Sequence, residues 1–188
     1  MALATGLFAY SAYRVYPSAR DGLRKRQLLK VATATPVDET AALSLVDEYL
    51  RVSLGGVRFD DYPQAAFIAL LRNPTTPATV LEKIGRELRV ESSWWDLLAH
   101  NPSLPESVIA ARINDHNLAW KFGQNPKLPE KYLRQLAEST DFSCKAAAAR
   151  NTSTPRDCLE KLTHDKDSLV RDFARQNLAG TLGPFAYR

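Results

Sequence analysis

Short apolar stripes at helical spacing recur along most of this chain, and proline precedes each of them. After Pro129 the apolar residues fall at positions 132, 133, 136 and 137, the pattern of one buried helical face. Pro129 predicts the start of that helix, because proline at the first helical position costs no hydrogen bond. Equivalent stripes follow Pro77, Pro105 and Pro155. The pattern therefore predicts four short amphipathic helices of the same kind.

A second helix is predicted after each of these, and an asparagine closes the unit. In the unit of Pro129 this helix begins near Asp141, a residue type that caps helix starts, and ends at Asn151. Asparagine tolerates the left-handed conformation that often closes a helix. Each unit is thus predicted to be two short helices, which are marginal alone and gain stability by stacking on their neighbours.

The closing asparagines recur at a nearly constant period. They are Asn73, Asn101, Asn125, Asn151 and Asn177, at intervals of 28, 24, 26 and 26 residues. A fixed period of this size indicates a stacked repeat. We expect the asparagine side chains to cap turns and to bond the backbone of the adjacent turn, and not to take part in catalysis.

Four regions are expected along the chain. Residues 29–36 (LKVATATP) resemble residues 70–77 (LLRNPTTP), which indicates a degenerate first repeat before the regular ones. The expected regions are a basic and aromatic N-terminal helical arm or cap (1–30), the degenerate repeat with an insertion (31–63), the repeats (64–179) and a C-terminal tail (180–188).

The charge of the chain separates the arm from the repeats. The formal net charge is +4, but residues 1–30 carry six basic residues and one acid, whereas the other 158 residues carry 19 basic and 20 acidic ones. The basic residues of the arm are Arg14, Arg20, Arg24, Lys25, Arg26 and Lys30. Such a cluster can attract nucleic acid, anionic lipid or an acidic protein surface, although a solvated helical face is the simpler interpretation.

Residues that commonly carry chemistry form no recognisable motif. His100, His116 and His164 lack the spacing of metal ligands, and no glycine-rich nucleotide motif occurs. Cys144 and Cys158 are interpreted as small core residues in a reducing compartment. No apolar run reaches the 18 residues that a membrane-spanning helix needs. The sequence therefore predicts a cytoplasmic protein without enzymatic activity, cofactor or metal.

The repeat begins with Asn-Pro-x-x-Pro, and an apolar helix, an Asp-x-x-apolar-basic segment and Ala-x-Asn follow. This pattern resembles the repeat of the leucine-rich repeat variant family. Residues 168–177 (SLVRDFARQN) match best, and the resemblance covers about residues 64–179. It implies an all-α, right-handed α-solenoid similar to HEAT and armadillo arrays, here with about four to five short helix pairs, a period of about 26 residues and atypical capping ends. It implies no general activity. One branch of the family holds an iron–sulfur cluster on N-terminal cysteines, and this chain has no cysteine before Cys144.

Function is predicted on the surface of the repeats. Trp94 aligns with apolar residues and is expected in the core. Trp95 aligns with Ala119, Lys145 and Arg171, and Trp120 aligns with Asp96 and Asp172, which we interpret as polar positions of the repeat. Trp95 and Trp120 are therefore expected to be partly exposed, as aromatic anchors for a partner protein or else packed beneath the insertion or the arm. The predicted protein-binding residues are Trp95, Trp120, Lys121, Arg72, His100, Gln124 and Arg150, of which the last four each precede a repeat asparagine and should form a row.

The leading functional hypothesis is a non-catalytic scaffold or adaptor for a partner protein, such as an inhibitor or an immunity-type binder. The alternative is a HEAT-like nucleic-acid-binding protein that uses the basic arm and exposed tryptophans, with strongly salt-dependent affinity. A peripheral membrane role for the arm and its aromatic residues 8–16 is less favoured, because one short segment binds lipid weakly. The sequence predicts neither the partner's identity nor the oligomeric state.

Overall fold

A computed structural model describes residues 19–54 and 64–183, with side chains for residues 22–50 and 64–183. Within these ranges all regular secondary structure is helical, which confirms the all-α class. The helices are α1 (Ala19–Thr33), α2 (Glu39–Leu54), α3 (Gln64–Arg72), α4 (Ala78–Glu87), α5 (Trp95–Leu98), α6 (Glu106–Arg112), α7 (His116–Gly123), α8 (Glu130–Ala137), α9 (Phe142–Arg150), α10 (Arg156–Leu162) and α11 (Ser168–Leu178).

The helices pack as two alternating sets. Each odd-numbered helix contacts the next odd-numbered one, from α1 to α3 and onward to α11. Among the even-numbered helices, α2 contacts α4, α4 contacts α6, and α8 contacts α10. Successive helices also pack across the two sets, as α8 does on α9 and α10 on α11. Buried apolar side chains of both sets form one core cluster.

Helices α4, α6, α8 and α10 begin directly after the prolines that predict their starts. Each proline is the N-cap residue, one position before the helix, with φ between −55° and −65° and an extended ψ. Thr76 and Thr154, which precede two of these prolines, donate their hydroxyls back to Leu70 O and Ala148 O at 2.7 Å. These bonds satisfy carbonyls at the end of the preceding helix that have no partner within it.

Aspartate side chains cap three of the second helices. Asp115 accepts a bond from Asn117 N at 2.9 Å, and Asp141 accepts one from Cys144 N at 3.1 Å, so the predicted cap at Asp141 is confirmed. Asp167 caps α11 in the same way. The second helix of the first regular unit differs, because α5 has only four residues and its N-cap is Trp94.

Helix α1 crosses the boundary that was expected at residue 30. It continues to Thr33 and packs on α3, so the end of the predicted arm is the first member of the odd-numbered set. Asn73 Nδ2 donates to Ala32 O at 3.0 Å and to Ala34 O at 2.9 Å, which joins the two helix ends. Much of the arm (1–18), the insertion (55–63) and the end of the tail (184–188) lie outside the described residues.

Candidate binding surface

The repeat asparagines form a ladder of hydrogen bonds from one unit to the next. Asn151 Nδ2 donates to Gly123 O at 2.7 Å and to Asn125 O at 2.9 Å, and its Oδ1 accepts from Ser153 N at 2.8 Å. Corresponding bonds to the preceding unit are made by Asn73, Asn101, Asn125 and Asn177. The predicted bonds to the neighbouring backbone are confirmed for all five, and the predicted turn bond through Oδ1 is confirmed for Asn73, Asn101, Asn125 and Asn151. The left-handed conformation expected at a closing asparagine is wrong for Asn151, which has φ −75° and ψ 123°.

The ladder places the residues before the asparagines at equivalent positions on neighbouring helices. Arg72, His100, Gln124 and Arg150 lie at the carboxyl ends of α3, α5, α7 and α9. Arg72 is exposed, and the other three side chains are half-buried. Because each unit bonds the previous one at the same point, these four residues follow one another along the odd-numbered helices, which we call the ladder row.

The expectation that Trp95 is partly exposed is wrong. Its side chain is 0% exposed, its ring packs edge-on against Phe122 with centroids 6.0 Å apart, and its Nε1 donates to Arg89 O at 3.0 Å. Trp94, which was expected in the core, is instead half-buried and packs edge-on against Tyr49 and Phe67. Trp95 therefore stabilises the core and is removed from the candidate surface.

The polar residues that share the column of Trp95 explain this error. Lys145 is buried and forms an ion pair with Asp165, whose side chain is 11% exposed. Arg171 donates to Asp165 O at 2.8 Å and to Lys166 O at 3.0 Å. At this position of the repeat, the polar side chains bind partners within the protein. A polar residue there therefore does not indicate solvent exposure. Sequence reasoning missed the Lys145–Asp165 pair because the two residues belong to different units.

Burial and ionic contacts act in opposite directions on Asp165. Burial by itself raises the pKa of its carboxyl group, because a charge is poorly solvated there. The bonds from Lys145 and from Asp167 N favour the charged form, and together they hold the pKa below its ordinary value. Asp165 is therefore a charged structural residue at neutral pH.

The remaining predicted residues stay at or near the surface, and several have partners within the protein. Trp120 is half-buried and packs on the core, and Lys121 forms an ion pair with Asp96. Asp96 O lies 2.5 Å from His100 Nδ1, so that nitrogen carries the proton, since a carbonyl can only accept. Arg150 lies over the Phe173 ring at 4.8 Å and donates to Gly183 O at 3.1 Å.

Two clefts interrupt the ladder row. The first, between α3 and α5, has a volume of about 370 Å³ and is lined by Leu71, Arg72, Asp96, Leu97, His100 and Asn101. The second, of about 280 Å³, lies at the ends of α7 and α9, and its lining includes Gln124, Arg150 and the segment at Leu182. The predicted residues therefore meet in pairs, Arg72 with His100 and Gln124 with Arg150.

Positive charge is concentrated on the odd-numbered helices. Their sequences contain eleven Lys and Arg residues and three Asp, whereas the even-numbered helices contain eight Lys and Arg and nine acidic residues. Arg24 of α1 pairs with Glu48 at 2.6 Å, and Lys25, Arg26 and Lys30 are exposed. Arg14 and the side chain of Arg20 lie outside the described residues. Most of this excess lies on α1, which holds five basic residues and one Asp. The other odd-numbered helices hold six basic residues and two Asp, and the capping residues Asp115, Asp141 and Asp167 offset three more of these charges.

Nothing in the described part of the chain indicates a metal or redox site. No group of three His, Cys, Asp or Glu residues is placed there to hold a metal ion. Cys144 and Cys158 are free thiols, and burial raises the pKa of both, which disfavours a reactive thiolate. None of the described helices is both long enough and apolar enough to cross a membrane.

Comparisons of the chain with protein-family models, curated proteins and solved structures found no match.

Proposed function

We propose that this chain is a right-handed α-solenoid of the leucine-rich repeat variant type, and that it acts as a non-catalytic scaffold or adaptor for a partner protein. The observation that carries the proposal is the asparagine ladder. It fixes Arg72, His100, Gln124 and Arg150 at equivalent points on four neighbouring helices. A surface that is held in place before binding loses little conformational entropy when a partner associates.

The composition of this surface also suits a protein partner. Trp120 on α7 is half-buried, next to polar groups at Lys121 and Gln124. Aromatic side chains beside polar and arginine residues are typical of protein interfaces. The excess of basic residues on α1, five against one Asp, favours a partner with an acidic surface.

Affinity capture from a nuclease-treated lysate of the source organism tests the proposal. The double variant Arg72→Glu/Gln124→Glu changes the charge of the ladder row by three units. The matched control Lys161→Glu/Gln135→Glu changes exposed residues of α10 and α8 by the same amount. We expect a protein partner that wild type and the control retain and that the ladder-row variant loses, because like charges across an interface are strongly unfavourable.

Folding of both double variants is checked by circular dichroism, so that loss of the partner is not loss of the fold. If every captured protein binds the wild type, the ladder-row variant and the control equally well, the ladder row is not the interaction surface and the proposal is wrong.

A further inference from the structure

The tertiary structure joins two groups of residues that lie far apart in the sequence. Lys30 is in the last turn of α1 and Arg72 is in the last turn of α3. The bonds from Asn73 to Ala32 O and Ala34 O hold these two helix ends together. Packed helices lie about 8–10 Å apart. In the register of the ladder, Thr33 is the residue of α1 that corresponds to Arg72. Lys30 lies about one turn before that position and Arg26 about two turns before it.

We call this surface the basic end: Arg26 and Lys30 of α1, Arg72 of α3, and the cleft between Arg72 and His100. The three cations are exposed, and no described carboxylate lies within ion-pair distance of them. The nearby acids are already engaged, Glu48 by Arg24 and Asp96 by Lys121. The basic end therefore has a positive charge that internal ion pairs do not compensate.

Apolar groups accompany these charges. Leu23 and Leu29 of α1 are 59% and 39% exposed, and they are two of the four large exposed apolar side chains in the described part of the chain. Leu71 and Leu97 line the cleft beside Arg72. A phosphate backbone offers little to such leucines, whereas a peptide can combine carboxylates with apolar side chains. The combination of exposed cations and exposed leucines therefore favours an acidic peptide over nucleic acid as the ligand.

We propose, on the basis of the scaffold function proposed above, that the basic end binds an extended segment of the partner protein in which Asp or Glu residues alternate with Leu or Phe. One carboxylate lies in the cleft, where the planar guanidinium of Arg72 can bind both of its oxygens. Others pair with Lys30 and Arg26. The distance from α1 to α5 is two helix spacings, about 16–20 Å. About five or six residues of an extended peptide span this distance.

Fluorescence anisotropy tests this with a labelled heptapeptide, Glu-Leu-Asp-Phe-Glu-Leu-Asp, and the full-length chain. We expect Arg72→Gln to weaken binding about 5- to 10-fold, because a paired guanidinium is lost, and Lys30→Gln about 3-fold. The control Lys161→Gln removes the same charge from α10 and should leave the affinity unchanged. Replacing each Leu and Phe of the peptide by Gly should weaken binding at least about 3-fold, since the apolar contacts are removed.

Three results would overturn the inference: no binding of the heptapeptide at millimolar concentration, an equal loss in Lys161→Gln, or tighter binding of a seven-nucleotide thymidine oligomer than of the heptapeptide. The last result would identify a nucleic-acid surface. If the lysate partner depends on the ladder row but the heptapeptide does not bind, the scaffold function stands and this inference fails. If the heptapeptide binds as expected and no lysate protein depends on the ladder row, the scaffold function fails.

Discussion

The ion pair of Lys145 and Asp165 shows how a single charged residue can be a structural one in this protein. Lys145 lies on α9 and Asp165 lies before α11, so the pair links two successive units. Their side chains are 10% and 11% exposed. Removing one partner of a buried pair leaves the other charge without compensation, which is more destabilising than the loss of a surface ion pair.

Asp165→Asn is expected to lower the free energy of unfolding by about 3 kcal/mol at neutral pH. The pKa of Asp165 in the folded state is below its ordinary value, so the charged carboxyl stabilises the fold above the unfolded-state pKa, near pH 4. This stabilisation is lost as the pH falls through the folded-state pKa. Urea denaturation at several pH values should therefore show a difference between wild type and variant that is constant from pH 6 to 8 and shrinks below about pH 4.

Asp172→Asn is the control, because Asp172 is exposed and its contact with Arg175 is 3.9 Å long. It should change stability by less than about 0.5 kcal/mol. If Asp165→Asn changed the free energy of unfolding as little as the control does, the Lys145–Asp165 pair would not contribute to stability.

At the scale of the helix, α7 and α9 approach each other unusually closely at Gly123. A Cβ atom placed on Gly123 would lie 2.4 Å from Ala147 Cβ and 3.0 Å from Ala147 Cα. Neither atom can move aside by changing a rotamer, so α7 or α9 would have to shift. The small residues of α9, which include four consecutive buried alanines, allow this contact.

Gly123→Ala should therefore lower the free energy of unfolding by about 1–3 kcal/mol, since overpacking outweighs the better helix propensity of alanine. Gly22→Ala on α1 is the matched control, because a Cβ there meets nothing within 4 Å. It should stabilise the protein by up to about 1 kcal/mol. Urea denaturation measures both changes, and a stabilising Gly123→Ala would refute the close contact.

Across the whole molecule, the asparagine ladder joins each unit to the one before it. Asn151 and Asn177 each donate to two carbonyls of the preceding unit, and Asn151 also accepts a bond from Ser153 N. They differ in burial, since Asn151 is 3% exposed and Asn177 is half-buried. An unsatisfied backbone group is more unfavourable where water cannot reach it.

Asn151→Ala is expected to lower the free energy of unfolding by about 2–3 kcal/mol, and Asn177→Ala by about 1 kcal/mol. Thermal or urea denaturation of the two variants gives the comparison directly. Equal losses would mean that burial does not set the contribution of each ladder position, and negligible losses would mean that the ladder is a consequence of the stacking and does not stabilise it.

Local pattern was sufficient to predict much of this fold. The apolar stripes after the prolines located α4, α6, α8 and α10, and Asp141 located the start of α9. The structural role of the repeat asparagines also followed from the sequence. The helix starts are encoded within a few residues of where they act, because helix periodicity, caps and turns depend on near neighbours in the chain. The bonds of the asparagines to the preceding unit reach 26 to 41 residues back and were predicted from the period.

The candidate surface was predicted only in part. The ladder row was predicted from the period of the sequence, because residues at the same position of successive units lie at equivalent points on neighbouring helices. Trp95 was wrongly predicted to be exposed, because its alignment with polar residues was interpreted as exposure to solvent. Helix α5 has only four residues, and the packing of neighbouring units decides which of its side chains is buried.

The sequence by itself determined an all-helical chain and the residues before which several of its helices begin, because those signals are local. Only the tertiary structure decided which tryptophan is buried, that Lys145 meets Asp165, and that α1 lies beside α3. It also decided where the charge lies. The basic helix α1 packs on α3 and so joins the odd-numbered set, a neighbourhood that depends on packing in space and not on nearness in the sequence.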